Sequence, residues 1–419
     1  MSSFDTKVAI VGGGAAGIAA ARRLTDNGID CLIVEARERL GGRSWTVGEG
    51  EAHPVDLGCG WLHSADGNPW LPIAEAQGRT IDRTPPPWRR SSLSTGFAAG
   101  EQSAFQQALD DLDACVHAAG TQAEDRPAET CLPPGGRWNA LANAVSTYAN
   151  GVELDRVSVR DLSRYHDSGV NWRVPDGYGS VIKAHAAGLR ISLGNPVRLI
   201  DHSGKRLRLE TDKGTLTADA VIVTLPTSLL ARQEIRFLPD LPDKTAAAEG
   251  LPLGLADKLF LSLSSHEEFP ADSRAFGSTD RTATAAYHVR PFGRPQIEAY
   301  FAGALAAELE IAGKDAFFDF AVAELVGLFG SDFARRVKPI HLHPWRTDPY
   351  ARGSYSHALP GHADSRAVLA APVDDRLFFA GEACSLRDFS TAHGALQTGL
   401  AAADLATALF GRKAVTLGE

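Results

Sequence analysis

The chain has no apolar run long enough to cross a bilayer, which takes about 20 residues, and its 419 residues include only five cysteines. Cys31, Cys59, Cys115, Cys131 and Cys384 are scattered, odd in number and never spaced as CxxC. That pattern argues against a disulfide framework and a structural zinc site, and it fits a reducing compartment. The opening Met-Ser-Ser-Phe-Asp-Thr-Lys has no apolar signal core, and the residues after Phe410 are polar. A cytoplasmic protein without a membrane anchor is therefore expected. Basic charge is also short: 42 Lys and Arg stand against 51 Asp and Glu, a formal net charge of −9. Such a surface is a poor partner for nucleic acid and mildly favours cationic ligands. No internal repeat is visible. His341-Leu342-His343 could set two imidazoles on one strand face, but no acid or cysteine partner is close in sequence, so no metal is expected.

What is present is an ordinary globular composition, 44% hydrophobic and 22% charged. The length predicts two or three domains at roughly 150 residues each. Val8-Ala9-Ile10-Val11 is a continuous apolar run, as in a strand buried on both faces of a parallel sheet. Gly12-Gly13-Gly14 breaks it. An alanine-rich helix follows with Ile18, Ala21 and Leu24 on one face, stopped by Asn27-Gly28. Cys31–Val34 is a second strand closed by Glu35, which completes a βαβ start.

Further on, Phe105, Ala108, Leu109, Leu112, Cys115 and Val116 recur at helical spacing. Pro85–Pro87 and Pro133–Gly136 mark loops. From Val197 the pattern turns to strands: Leu207 and Leu209 alternate with Arg206, Arg208 and Glu210. Val221–Val223 and Leu377–Ala380 are again buried runs, and Phe317, Phe320 and Leu328 belong to another helix. The expected fold class is α/β (α+β overall). A discontinuous Rossmann-like domain at 1–70, 176–240 and 352–419 would carry an inserted sheet-and-helix substrate domain at 71–175 and 241–351.

Gly12-x-Gly14-x-x-Gly17 sits between strand and helix, where a dinucleotide fingerprint belongs. The first glycine permits the tight turn, the second lets backbone approach a pyrophosphate, and the third lets helix and strand pack closely. The helix N-terminus offers N–H groups to the phosphates. Glu35 lies about 20 residues on, placed to bind ribose hydroxyls, which disfavours a 2′-phosphate.

Glu35-Ala36-Arg37-Glu38-Arg39-Leu40-Gly41-Gly42-Arg43 resembles the E-A-x-x-R-x-G-G-R segment of flavin-containing amine oxidases. Phe379-Ala380-Gly381-Glu382 resembles that family's F-A-G-E segment, and Thr391-Ala392-His393-Gly394-Ala395 its T-x-H-G-A turn. The resemblance implies an FAD enzyme. It puts Gly12, Gly14, Ala16, Gly17, Glu35, Ala36, Arg37, Gly42, Arg43, Val197, Gly381, Glu382, Thr391 and Ala392 around the cofactor.

Asp56-Leu57-Gly58-Cys59-Gly60-Trp61-Leu62-His63 is similar to the D-L-G-x-x-W-x-H segment of polyamine oxidases. It would bring Gly60 and Trp61 past the flavin and face His63 to the substrate. Gly254–Phe260 resembles the segment whose lysine holds a water at flavin N5, so Lys258 is the implied water-holding residue. Trp345 to Ser356 resembles the W-x-x-D-P-x-x-x-G-S-Y-S stretch of polyamine oxidases and histone lysine demethylases. There Tyr355 would be an aromatic wall and Trp345 its backing.

Animal monoamine oxidases have a second wall tyrosine where this chain has Thr391, and a flavin-linking cysteine where it has Ser354. Non-covalent FAD is therefore expected. The demethylases' extra domain and long helical insertion are missing, which argues against work on chromatin. The implied reaction is hydride loss from a small, polyamine-like amine to flavin N5, imine hydrolysis, and reoxidation by O2 to H2O2. A monomer or homodimer is expected. An L-amino acid oxidase of the same fold would need a pocket arginine, for which Arg89, Arg173 and Arg294 are available. A desaturase or protoporphyrinogen-type oxidase is disfavoured by Lys258 and Tyr355. A reading of another class is a non-catalytic FAD-binding scaffold.

Overall fold

The computed structural model describes residues 3–416. β1 (Ser3–Val11), the helix Ala15–Asp26 and β2 (Cys31–Val34) form a parallel βαβ unit. β3 (Thr46–Val47) and β4 (Val55–Asp56) make a short hairpin. After a helical stretch the chain returns with β5 (Ile191–Ser192), β6 (Val197–Asp201), β7 (Leu207–Thr211), β8 (Gly214–Val223) and β9 (Arg236–Leu238). These complete a sheet of order β5-β2-β1-β8-β7-β6-β9.

The run Val8–Val11 divides between two cores because successive strand side chains point to opposite faces. Val8 and Ile10 pack with Ile18, Leu24 and Leu396 on one side. Ala9 and Val11 pack with Val221, Val223 and Leu251 on the other. In β7, Leu207 and Leu209 are buried while Arg208 is exposed, the alternation of a half-buried strand.

A second sheet is antiparallel throughout, in the order β11-β12-β13-β10-β14. Its strands are β10 (Ala256–Leu263), β11 (Ser273–Phe276), β12 (Ala286–Val289), β13 (Gln296–Ala302) and β14 (Val337–Leu342). One face, with Leu259, Leu261, Ile297 and Phe301, packs on the helix Lys314–Phe329. The opposite face of β10, carrying Lys258 and Phe260, is buried as well. β15 (Leu377–Phe379) rejoins the first sheet parallel to β8, and the helix Ala392–Thr416 then lies against Ala15–Asp26. The first sheet's cores also draw Ala74 and Val174 from the first intervening block, and Ala247 and Ala248 from the second.

The helix Ala99–Gly120 covers the period read from Phe105 to Val116. It corrects the cysteine reading: Cys115 near its end is bonded to Cys131 in the following short helix, Cα atoms 5.6 Å apart. Spacing gave no sign of this pair because packing around Val116, Ala128 and Leu154, not a CxxC loop, brings the two together. Cys31, Cys59 and Cys384 are free. Among the described residues no helix is long and apolar enough to cross a membrane, and no group of His, Cys, Asp and Glu is arranged to hold a metal.

Candidate active site

A cavity of about 1060 Å³ runs between the two sheets, from Gly12 and Glu35 to Lys258, Tyr355 and the Ala99–Gly120 helix. At its first end Gly12 takes φ 111° and Gly17 faces the Gly12 carbonyl so closely that a Cβ would collide with it. At Gly14 a Cβ would meet nothing within 4 Å. Open space thus lies over the N-terminus of the Ala15–Asp26 helix, the position suited to an anion. Glu35 is buried at the end of β2, where its carboxylate accepts from Gly13 N (2.6 Å) and Arg37 N (2.8 Å). Ala36 and Val197 line the same end, and Ala16 packs behind it. Arg37 is engaged by Asp348 at 2.6 Å and lies over the Tyr350 ring. Arg39 stacks on Trp45 and donates to the Gly42 carbonyl.

Farther along, Arg43 donates to Glu382 and to the Ser354 carbonyl, both at 2.8 Å. Glu382 also accepts from Ser356 Oγ (2.6 Å) and Ser390 N (3.0 Å). Burial pushes its pKa up, but Arg43 and these donors outweigh burial and hold it low. Gly381, with φ 142°, leaves open space beside it. Thr391 Oγ1 accepts from Gly394 N at 3.0 Å, capping the final helix. Its hydroxyl donates to the Asp388 carbonyl, so its bonds are structural, while Thr391 and Ala392 still line the cavity. Ser354 Oγ is held between the N–H and C=O of Ala256.

The far end of the cavity is built by β10 and β13. Register sets Lys258 opposite Tyr300 and Phe260 opposite Glu298. Lys258 Nζ is 2.9 Å from Glu298 and 3.2 Å from the Asp56 carbonyl, and it lies 5.8 Å from the Tyr300 ring. A Cβ on Gly60 would stand 3.4 Å from the same nitrogen. Burial works against the ammonium, but Glu298 and the neighbouring groups more than offset it, so the pKa of Lys258 lies above its ordinary value. Lys258 is therefore a fixed cation and donor, not a base. Tyr355 donates to the Tyr148 carbonyl at 2.6 Å, with its oxygen 3.4 Å from that of Tyr300.

Trp345 is buried behind this wall, its indole N–H donating to the Leu57 carbonyl at 3.0 Å. Trp61 meets Trp88 edge-on at 4.5 Å and has Arg173 over its face. His63 Nδ1 lies 2.6 Å from Asn171 Oδ1. Burial lowers the His63 pKa against that bond, favouring a neutral ring with Nε2 as acceptor. The pairing with an amide oxygen makes Nδ1 the donor.

Sequence reading did not single out Glu298, Tyr300, Tyr148 or Asn171. The first two carry a legible signal: in Gln296–Ala302 the polar residues Glu298 and Tyr300 alternate with Ile297, Ala299 and Phe301. Tyr148 and Asn171 reach the cavity from a helix and a loop with no such pattern. Of the three candidate carboxylate-binding arginines, Arg173 is buried between Asp82 and Asp272. Arg294 donates to the carbonyls of Pro54 and Pro175. Arg89 lines the cavity as an exposed residue. Of the pair His341 and His343, the latter bonds to Asp348 at 3.2 Å.

The fold has close counterparts. Putrescine oxidase bound to putrescine superposes with a TM-score of 0.79 at 17% identity, covering 96% of this chain and 99% of that one. Polyamine oxidase 4 of Oryza sativa subsp. japonica is 28% identical over 95% of this chain and 88% of its own length. Polyamine oxidase 2 of Arabidopsis thaliana is 29% identical over 96% and 88%. Lysine-specific histone demethylase 1 homolog 1 of Oryza sativa subsp. japonica is 31% identical over 94% of this chain but only 51% of its own length. The family described as flavin containing amine oxidoreductase matches residues 15–109 and 136–407. With most of both sheets and the cavity between them inside that match, the chain belongs to the flavin-containing amine oxidoreductases and is a flavin-dependent enzyme.

Proposed function

We propose that the chain is an oxidase of small amines that holds FAD without a covalent link and cleaves a C–N bond beside the oxidised carbon. The observation that carries this reading is the buried Lys258–Glu298 pair at 2.9 Å, set in the cavity wall with Tyr300 and Tyr355. We assign 1–70, 176–240 and 352–419 to holding the cofactor, and 71–175 and 241–351 to enclosing the substrate.

The residues fit a flavin dinucleotide. Open space fronts Gly14 and Gly381, and Glu35 stands where a ribose would meet a carboxylate. Val197 would support the adenine. Arg43, braced by Glu382, points a cation at the middle of the cavity, and the backbone at Gly60–Trp61 flanks the ring position. Ser354 offers no thiol for a thioether. When bound, the flavin supplies the two-electron acceptor for hydride from the carbon beside nitrogen.

The chain's own groups supply the rest. A neutral His63 Nε2 takes a proton from the substrate ammonium or orients it. Tyr355 and Tyr300 present aromatic faces to the amine, and Trp345 supports them from behind. Thr391 fixes the start of the last helix at the ring's edge. Lys258, held cationic, donates to a water that adds across the substrate's C=N bond. The products are a carbonyl compound and the shortened amine or ammonia; O2 takes the two electrons and leaves as H2O2. The elongated cavity suits an extended amine of polyamine-like length.

The test is anaerobic loss of flavin absorbance at about 450 nm with polyamines, monoamines and amino acids. Bleaching by extended amines is the expected result. Bleaching by α-amino acids alone would move the chain to an amino acid oxidase, and bleaching by none would leave a flavoprotein without amine chemistry.

A further inference from the structure

Strands β10, β13, β12 and β11 turn two rows of residues to one face, and all of them but Phe260 line the cavity. Register aligns Lys258, Tyr300, Ala286 and Phe276 in one row, and Phe260, Glu298, His288 and Arg274 in the next. Most charge in these rows is neutralised locally. Glu298 serves Lys258 and lies 3.8 Å from His288 Nδ1. The other nitrogen of His288 meets Asp272 at 2.9 Å, and Asp272 also binds Arg173.

Arg274 is left over. Its guanidinium makes no hydrogen bond or ion pair with any described residue; it lies 4.2 Å from the Phe276 ring centroid and lines the cavity. The acids of the Ala99–Gly120 helix that also line the cavity, Asp110 and Asp113, are exposed and form no pair with it. Burial lowers the Arg274 pKa to about 10, so the group is still a cation at neutral pH. A half-buried cation that faces a cavity without a counter-charge is incompletely solvated, and a carboxylate ligand relieves that cost through charge-assisted hydrogen bonds.

We infer that Arg274 receives a carboxylate on the substrate, so that the preferred substrate is an extended amine with an anionic far end instead of a second ammonium. Three inter-strand steps of about 4.8 Å separate β10 from β11. The reacting nitrogen and the carboxylate are therefore parted by a distance on the order of 10 Å, far more than in an α-amino acid, where the two groups share one carbon. The reacting end rests on the amine-oxidase reading; the anion end does not.

The test pairs calorimetric binding of octanoate with anaerobic flavin reduction by 8-aminooctanoate, octylamine and 1,8-diaminooctane, in the wild-type holoenzyme, R274Q and R274K. Wild type should bind octanoate and favour 8-aminooctanoate over the diamine. R274Q should weaken octanoate binding, and cut the preference for 8-aminooctanoate over octylamine, by roughly ten- to hundredfold, with partial recovery in R274K. Octanoate binding unchanged in R274Q, or wild type favouring the diamine, overturns the inference. Arginine-dependent octanoate binding without flavin reduction by any amine would refute the amine-oxidase reading while upholding the anion subsite.

Discussion

Replacing Glu298 by glutamine keeps the side chain's shape and removes its charge. The carboxylate lies 2.9 Å from Lys258 and 3.8 Å from His288, with 15% of the side chain exposed. Burial alone would raise its pKa; Lys258 and His288 outweigh burial and hold it at about 2, against an ordinary 4.5. At ~1.36 kcal/mol per pH unit, that interval corresponds to about 3 kcal/mol of stability carried by the charged form. Because the folded-state value is depressed, the contribution is complete above about pH 4.5 and is lost as the pH falls toward 2. Unfolding entropy of about 2.1 cal/mol/K per residue, over 419 residues, converts about 3 kcal/mol into a drop in Tm of about 3 °C at pH 7. Paired calorimetric scans of the wild-type and E298Q holoenzymes between pH 7 and pH 3 measure it. The gap should be widest near neutrality and narrow below about pH 4.5. No gap at pH 7, or one of the same size at pH 3, would refute the idea that the ion pair stabilises this wall.

Lys258→Met should leave flavin content near normal while slowing the water- and oxygen-dependent half of turnover by an order of magnitude or more; stopped-flow reoxidation against reduction separates the halves. In Gly17→Ala the new Cβ meets the Gly12 carbonyl, so purified protein should lack the flavin absorbance band. His63, kept neutral because burial lowers its pKa below 6.5, predicts that flavin reduction falls off only on the acid side of that value. His63→Gln should flatten that limb, and an unchanged pH profile would count against His63 as proton acceptor.

Much of the first sheet was legible in the sequence because local rules govern it. A continuous apolar run needs helices on both faces, and the glycine turn and Glu35 occur at fixed offsets from it. The second sheet was harder to read. Its site face pairs Lys258 with Tyr300 and Glu298 with His288 across strands, and register is a tertiary property that no single segment displays. The Cys115–Cys131 bond was missed for the same reason. Arg274 could not be ranked among the arginines from sequence, since what distinguishes it from Arg173 is the absence of an acid in three dimensions. Thr391 illustrates the opposite limit: the motif located it at the cavity, but only geometry shows its hydroxyl spent on a helix cap.

The helices Ala15–Asp26 and Ala392–Thr416 meet so closely that a Cβ on Gly399 would strike the Ala16 carbonyl. They lie far apart in the described chain, yet the first opens at the turn proposed for the phosphates and the second at the flavin's expected edge. During synthesis the Gly12–Gly17 turn stands without its neighbouring helix until all of the chain between the two has been made. Contacts of such long sequence separation form late and slowly. Cofactor capture should therefore act as a late check on assembly, locking in the fold only after these two helices have met.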